Sequence, residues 1–152
     1  MLQRSQTLFL LGVFLLSLLL LTGPIARFTL NGSEFLLRNT GLFNADGEKM
    51  KLATWPLSAI FITAVVLAFL DIFFYRNRMR QMRVAIFLIL LNAGVLGMMF
   101  FYTSQAKGQL EGALVLYQWR YVVPPVCMIL LYFAFRRIRR DELLVKAYDR
   151  IR

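Results

Sequence analysis

The chain has 152 residues, 59% of them hydrophobic, with a mean hydropathy of +0.63 and a formal charge of +10. That apolar share exceeds the roughly 45–50% of soluble domains and argues for one integral membrane domain over residues 1–152. Histidine is absent and Cys127 is the single cysteine, which excludes histidine-based triads, histidine-ligated haem, the common zinc sites and an intrachain disulfide; no cofactor and no enzymatic activity are expected.

Four stretches come near the roughly 20 apolar residues that carry a helix across the hydrocarbon core. They are 7–24 (TLFLLGVFLLSLLLLTGP), 56–75 (PLSAIFITAVVLAFLDIFFY), 84–102 (VAIFLILLNAGVLGMMFFY) and 119–135 (WRYVVPPVCMILLYFAF). The first has the look of a secretory signal, but Pro24 spoils the small-x-small cleavage pattern before Ala26, so the stretch is read as a retained anchor. In the outer loop 25–55, Phe28-Thr29-Leu30 and Phe35-Leu36-Leu37 flank Asn31-Gly32-Ser33-Glu34, and Asn44-Ala45-Asp46-Gly47 follows Leu42-Phe43. These are hairpin signals for two or three short strands. Ala113–Tyr117 in the second outer loop offers another strand to the same sheet.

The fourth stretch opens with Arg120 and Pro124-Pro125. Proline fits best in a first helical turn, so regular helix is expected from near Val123, with Trp119 and Tyr121 in an aromatic belt and Arg120 snorkelling to headgroups. After it, the tail 136–152 reads as an amphipathic helix with Leu144, Ala147, Tyr148 and Ile151 on one face, either continuing the span, lying in the interface or standing in solvent. The fold expected is mainly α: a four-transmembrane-helix antiparallel bundle with a small extracytoplasmic β-sheet cap built from the two outer loops.

Charge sets the direction. Of the 18 Lys and Arg, 12 fall on one side: Arg4, then Arg76, Arg78, Arg80 and Arg83, then Arg136, Arg137, Arg139, Arg140, Lys146, Arg150 and Arg152. The positive-inside rule puts that side, with both termini, in the cytoplasm. Arg76, Arg78, Arg80, Arg83, Arg136, Arg137, Arg139 and Arg140 are therefore candidate topology signals or contacts to anionic lipid headgroups. Nucleic acid is not expected as a partner, because most of these charges sit beside apolar runs instead of on a water-facing surface.

Polar groups inside a bilayer are costly and informative, which leaves Ser17, Ser58, Thr63, Asp71 and Asn92. Serine and threonine can bond their own helix. Asn92, beside Gly94 and Gly97, reads as a packing contact between helices or else a ligand or ion contact. Asp71 is five residues before Arg76, roughly 7–8 Å in from it, at the inner leaflet. It reads as a structural ion pair with Arg76, Arg78, Arg136 or Arg137, or a hydrogen bond to Tyr75, tying spans two and four; a proton or transport role and partner binding are the alternatives.

The opening MLQRSQTLFLLGVFLL, the link YRNRMRQMR and above all the tail AFRRIRRDELLVKAYDRIR resemble a family of short Bacteroidetes membrane proteins known as domain of unknown function 4293. The resemblance runs along nearly the whole chain and implies a four-span inner-membrane protein with both ends in the cytoplasm. It implies no activity and transfers no functional residue. Together these readings lead to a non-enzymatic structural or accessory subunit of a larger membrane complex, held by a membrane-protein partner or by its own copies; a small transporter or channel using Asp71 and Asn92 is the other class.

Overall fold

The computed structural model has four helices and four strands, with three strands after the first helix and one before the last, and describes residues 2–50, 52–74 and 77–149, with side chains over 7–50, 52–74 and 77–143. Helix α1 covers Leu2–Leu21 and stops ahead of Gly23-Pro24, since the residue before a proline is driven out of helical geometry. Helix α2, Trp55–Phe73, carries Pro56 in its first turn, where no backbone donor is lost. Helix α3, Arg78–Gln109, is longer at both ends than the expected 84–102. A 3-10 turn, Trp119–Val122, leads into α4, Val123–Asp149, whose start agrees with the expectation from Pro124-Pro125. The tail continues α4 as one unbroken helix to Asp149, while the side chains expected on its apolar face, Leu144, Ala147, Tyr148 and Ile151, lie outside those described.

Among the described residues three helical segments, Trp55–Phe73, Arg78–Gln109 and Trp119–Leu143, are long and apolar enough to cross a membrane, and Thr7–Leu21 is a shorter apolar stretch of α1. The first of the four expected spans lies within α1, which ends three residues before the expected Pro24, ahead of the Gly23-Pro24 stop.

The strands are β1 (Ala26–Leu30), β2 (Ser33–Arg38), β3 (Gly41–Asn44) and β4 (Leu114–Tyr117), forming an antiparallel sheet in the order β3-β2-β1-β4. The β1–β2 hairpin closes through Asn31 (φ 50) and Gly32 (φ 83), the double positive φ of a type I′ turn that Asn-Gly favours. The Asn44–Gly47 turn also forms, with the Gly47 N–H donating to the Asn44 carbonyl at 2.9 Å. Period-two alternation then puts Ala26, Phe28, Leu37 and Leu42 on the buried side. Arg27 and Arg38 are exposed.

Helix α1 packs on α2 and α4, and α3 packs on the same two, so α2 and α4 face each other across a diagonal. One apolar core runs from Leu10 and Leu131 in the bundle to Phe28, Leu37 and Leu42 under the sheet. The basic link and the start of the tail lie at the opposite end from the sheet: Arg137 stacks over Phe9 near the start of α1, and Arg78 reaches Asp141 of α4.

Candidate functional site

At the sheet end, Thr54, Ser58, Arg120 and Tyr121 each have a hydrogen-bond partner within the protein. Thr54 Oγ1 and Ser58 Oγ, at the start of α2, both donate to the Asn39 carbonyl in the β2–β3 turn, at 2.9 and 2.6 Å. Ser58, expected within a span, belongs to this junction. Arg120 departs from expectation: it does not snorkel outward but turns onto the end of α1. Its Nε donates to the Leu19 carbonyl at 3.2 Å and its Nη1 to the Pro24 carbonyl at 3.1 Å, with Trp119 stacked 5.0 Å from its Cζ. The last carbonyls of a helix lack intrahelical donors and form the negative end of its dipole, so a cation there satisfies both demands at once. Gly23 makes room for it, since a Cβ at that position would collide with the guanidinium.

Tyr121 is also internal. Its hydroxyl donates to the Met99 carbonyl at 2.9 Å and shares a hydrogen bond with the Thr103 hydroxyl, while its ring packs with Phe100 and Tyr117 at 5.0 and 5.1 Å. The turn before α4 is thereby fastened to α3 as well as to α1.

In the bundle interior the expected polar residues are present but differently engaged. Thr63 bonds its own helix, donating to the Ala59 carbonyl at 2.8 Å. Asn92 does likewise: Nδ2 donates to the Leu88 carbonyl at 2.8 Å, and Oδ1 is buried without a partner. The interhelical partner expected for Asn92 is thus replaced by its own preceding turn. Of the two glycines expected to admit a neighbouring helix, Gly94 faces Ile60 of α2 and Gly97 faces open space.

Asp71 is fully buried near the C-terminal end of α2, and neither carboxylate oxygen has a hydrogen-bond partner among the described residues. Among the described residues no tie from Asp71 to α4 is found: the two helices are diagonal, and two of the candidate cations, Arg78 and Arg137, are engaged elsewhere. Arg78 Nη1 donates to the Asp141 carbonyl at 3.1 Å, and Arg137 lies 5.0 Å from the Phe9 ring centroid. Tyr75 and Arg76 lie outside the described residues. What approaches Asp71 instead is buried Gln81, whose Nε2 donates to the Asp71 backbone carbonyl at 3.4 Å. No sequence signal marked Gln81, which stands inside the arginine run.

Asp71 and Asn92 are not brought together. Gln81 marks the level of Asp71 on α3, and eleven residues from there to Asn92 make about 16 Å along the axis. Of the remaining arginines, Arg80, Arg136 and Arg140 are exposed, whereas Arg83 and Arg139 border one cleft of about 340 Å³ between α3 and α4. Among the described residues no group of histidine, cysteine, aspartate or glutamate is arranged to hold a metal ion.

The model of one family, Domain of unknown function (DUF4293), matches residues 2–151. The chain belongs to the DUF4293 family. The match takes in α1, the sheet, the arginine link and the tail, so the whole arrangement described above is the DUF4293 unit of this chain. Neither a curated protein nor a solved structure matches it.

Proposed function

We propose that this DUF4293 protein is a four-span inner-membrane protein, both termini cytoplasmic, that serves as a non-enzymatic accessory or structural subunit of a larger membrane assembly. The observation that carries the reading is the free side of β4. This strand is an edge of the sheet, and Leu114, Leu116 and Tyr117 on it are 73%, 58% and 58% exposed. An apolar edge outside the hydrocarbon is a template for another chain and a hazard if left bare. Four spans are supported by α1, whose 20 residues reach about 30 Å and whose Leu10, Val13 and Leu20 are core. Orientation is supported by the arginines gathered at the end away from the sheet.

The test is purification of a tagged full chain in mild detergent, in the native form and with Leu114→Lys and Leu116→Lys. A defined partner should accompany the native chain and be lost from the variant, whose bundle stays intact because both side chains are exposed. Recovery of the native chain alone, as a monomer in several detergents, would overturn the subunit reading.

The unpartnered Asp71 carboxylate favours a second reading, a small transporter or channel. It needs a water-accessible lining near Asp71 that reaches the level of Asn92. Cysteines placed at both positions in a Cys127→Ala background, if closed to membrane-impermeant thiol reagents, would remove it.

A further inference from the structure

The cleft at the lower end of α3 and α4 has a graded chemistry. Met79, Met82, Arg83 and Ile86 come from one face of α3, at the i, i+3, i+4, i+7 spacing; Phe135, Arg139, Glu142 and Leu143 come from one face of α4. The helices run in opposite directions, so Ile86 and Phe135 are the deepest residues of the two walls. Arg83 stands about 4.5 Å and Arg139 about 6 Å nearer the basic end than these. Glu142 lies beyond them and is already engaged in an interaction within the protein. The volume of about 340 Å³ falls within the roughly 300–1,000 Å³ of small-molecule sites.

We propose that this cleft is a binding site for one anionic glycerophospholipid, its acyl chain along Met82, Ile86 and Phe135 and its phosphate between Arg83 and Arg139. The order of the lining, apolar at depth and cationic one turn nearer the water, is the order of a phospholipid from chain to phosphate. With two cations and one acid the mouth keeps a charge of +1, which suits a headgroup without a compensating cation. Arginine presents a planar fork that matches phosphate oxygens, and here a fork comes from each wall. The other basic residues lack this setting. Arg78 and Arg137 are committed to Asp141 and Phe9, and Arg80, Arg136 and Arg140 do not line the cleft.

The proposal rests on the membrane placement given above, but not on the subunit role. Its test uses the full chain reconstituted in vesicles of phosphatidylcholine with a minor share of phosphatidylglycerol, then native mass spectrometry of the lipid each molecule retains. The native chain should keep one phosphatidylglycerol in preference to phosphatidylcholine. Arg83→Gln with Arg139→Gln should lower that retention about tenfold or more, while Arg80→Gln with Arg136→Gln, the same loss of charge outside the cleft, should change it less than about twofold. Ile86→Trp, which fills the cleft and leaves all charges in place, should abolish the preference. Equal effects of the two arginine pairs would overturn the site in favour of diffuse surface charge, as would equal retention of the two lipids by the native chain. Failure of the chain to enter vesicles would overturn the membrane placement itself.

Discussion

The two ends of the bundle treat polar groups in opposite ways. At the sheet end Arg120, Tyr121, Thr54 and Ser58 all find partners within the protein, and the partners are mostly backbone carbonyls. At the basic end the Asp71 carboxylate is buried without a hydrogen bond, while Arg83 and Arg139 stay exposed along a cleft. Pairing of these four groups fixes the junction from within.

The comparison is broken most severely by removing what joins sheet to bundle. Phe28 is fully buried beneath the sheet, and Phe28→Ala should cost about 3–5 kcal/mol in a detergent unfolding titration. Arg120→Met should cost about 2–3 kcal/mol, the loss of two hydrogen bonds from a charged donor at a helix terminus. Gly23→Ala should produce much of the same loss by displacing the guanidinium. A double-mutant cycle should therefore find the two substitutions far from additive.

At the other end the sign reverses. Asp71→Val removes a buried carboxylate that has no hydrogen-bond partner among the described residues, so it should raise stability by about 1–3 kcal/mol. A drop in the melting temperature would mean that a partner for the carboxylate exists in the membrane. The smallest effect is expected from Asn92→Leu, within about 1 kcal/mol of zero, because the Leu88 carbonyl it bonds is already served by the helix.

Local chemistry was legible in the sequence. Asn31-Gly32 announced its hairpin, Pro124-Pro125 placed the start of α4 at Val123, and the apolar stretch Ala113–Tyr117 after a polar loop marked β4. Contacts between distant segments were not. Nothing local to Arg120 says that its acceptor is the end of α1, 101 residues away at Leu19. Depth along α2 correctly set Asp71 near the basic end, but its partner depended on which helices are neighbours and which are diagonal, and a hydropathy pattern is silent about that. Gln81 was overlooked because it stands among four arginines, although helical spacing puts it on the buried face of α3 with Ala85, Leu88 and Asn92.

The register of β1 against β4 bears on how the molecule is made. Strand β1 leaves the ribosome early, yet Ala26 is paired with Tyr117, so that side of β1 waits through the synthesis of two helices for its neighbour. Closing so wide a loop is slow compared with forming the β1–β2 hairpin. The β4 strand therefore works as a late latch: until it closes, the first half of the chain holds an open sheet edge, and afterwards the halves separate only by unzipping it.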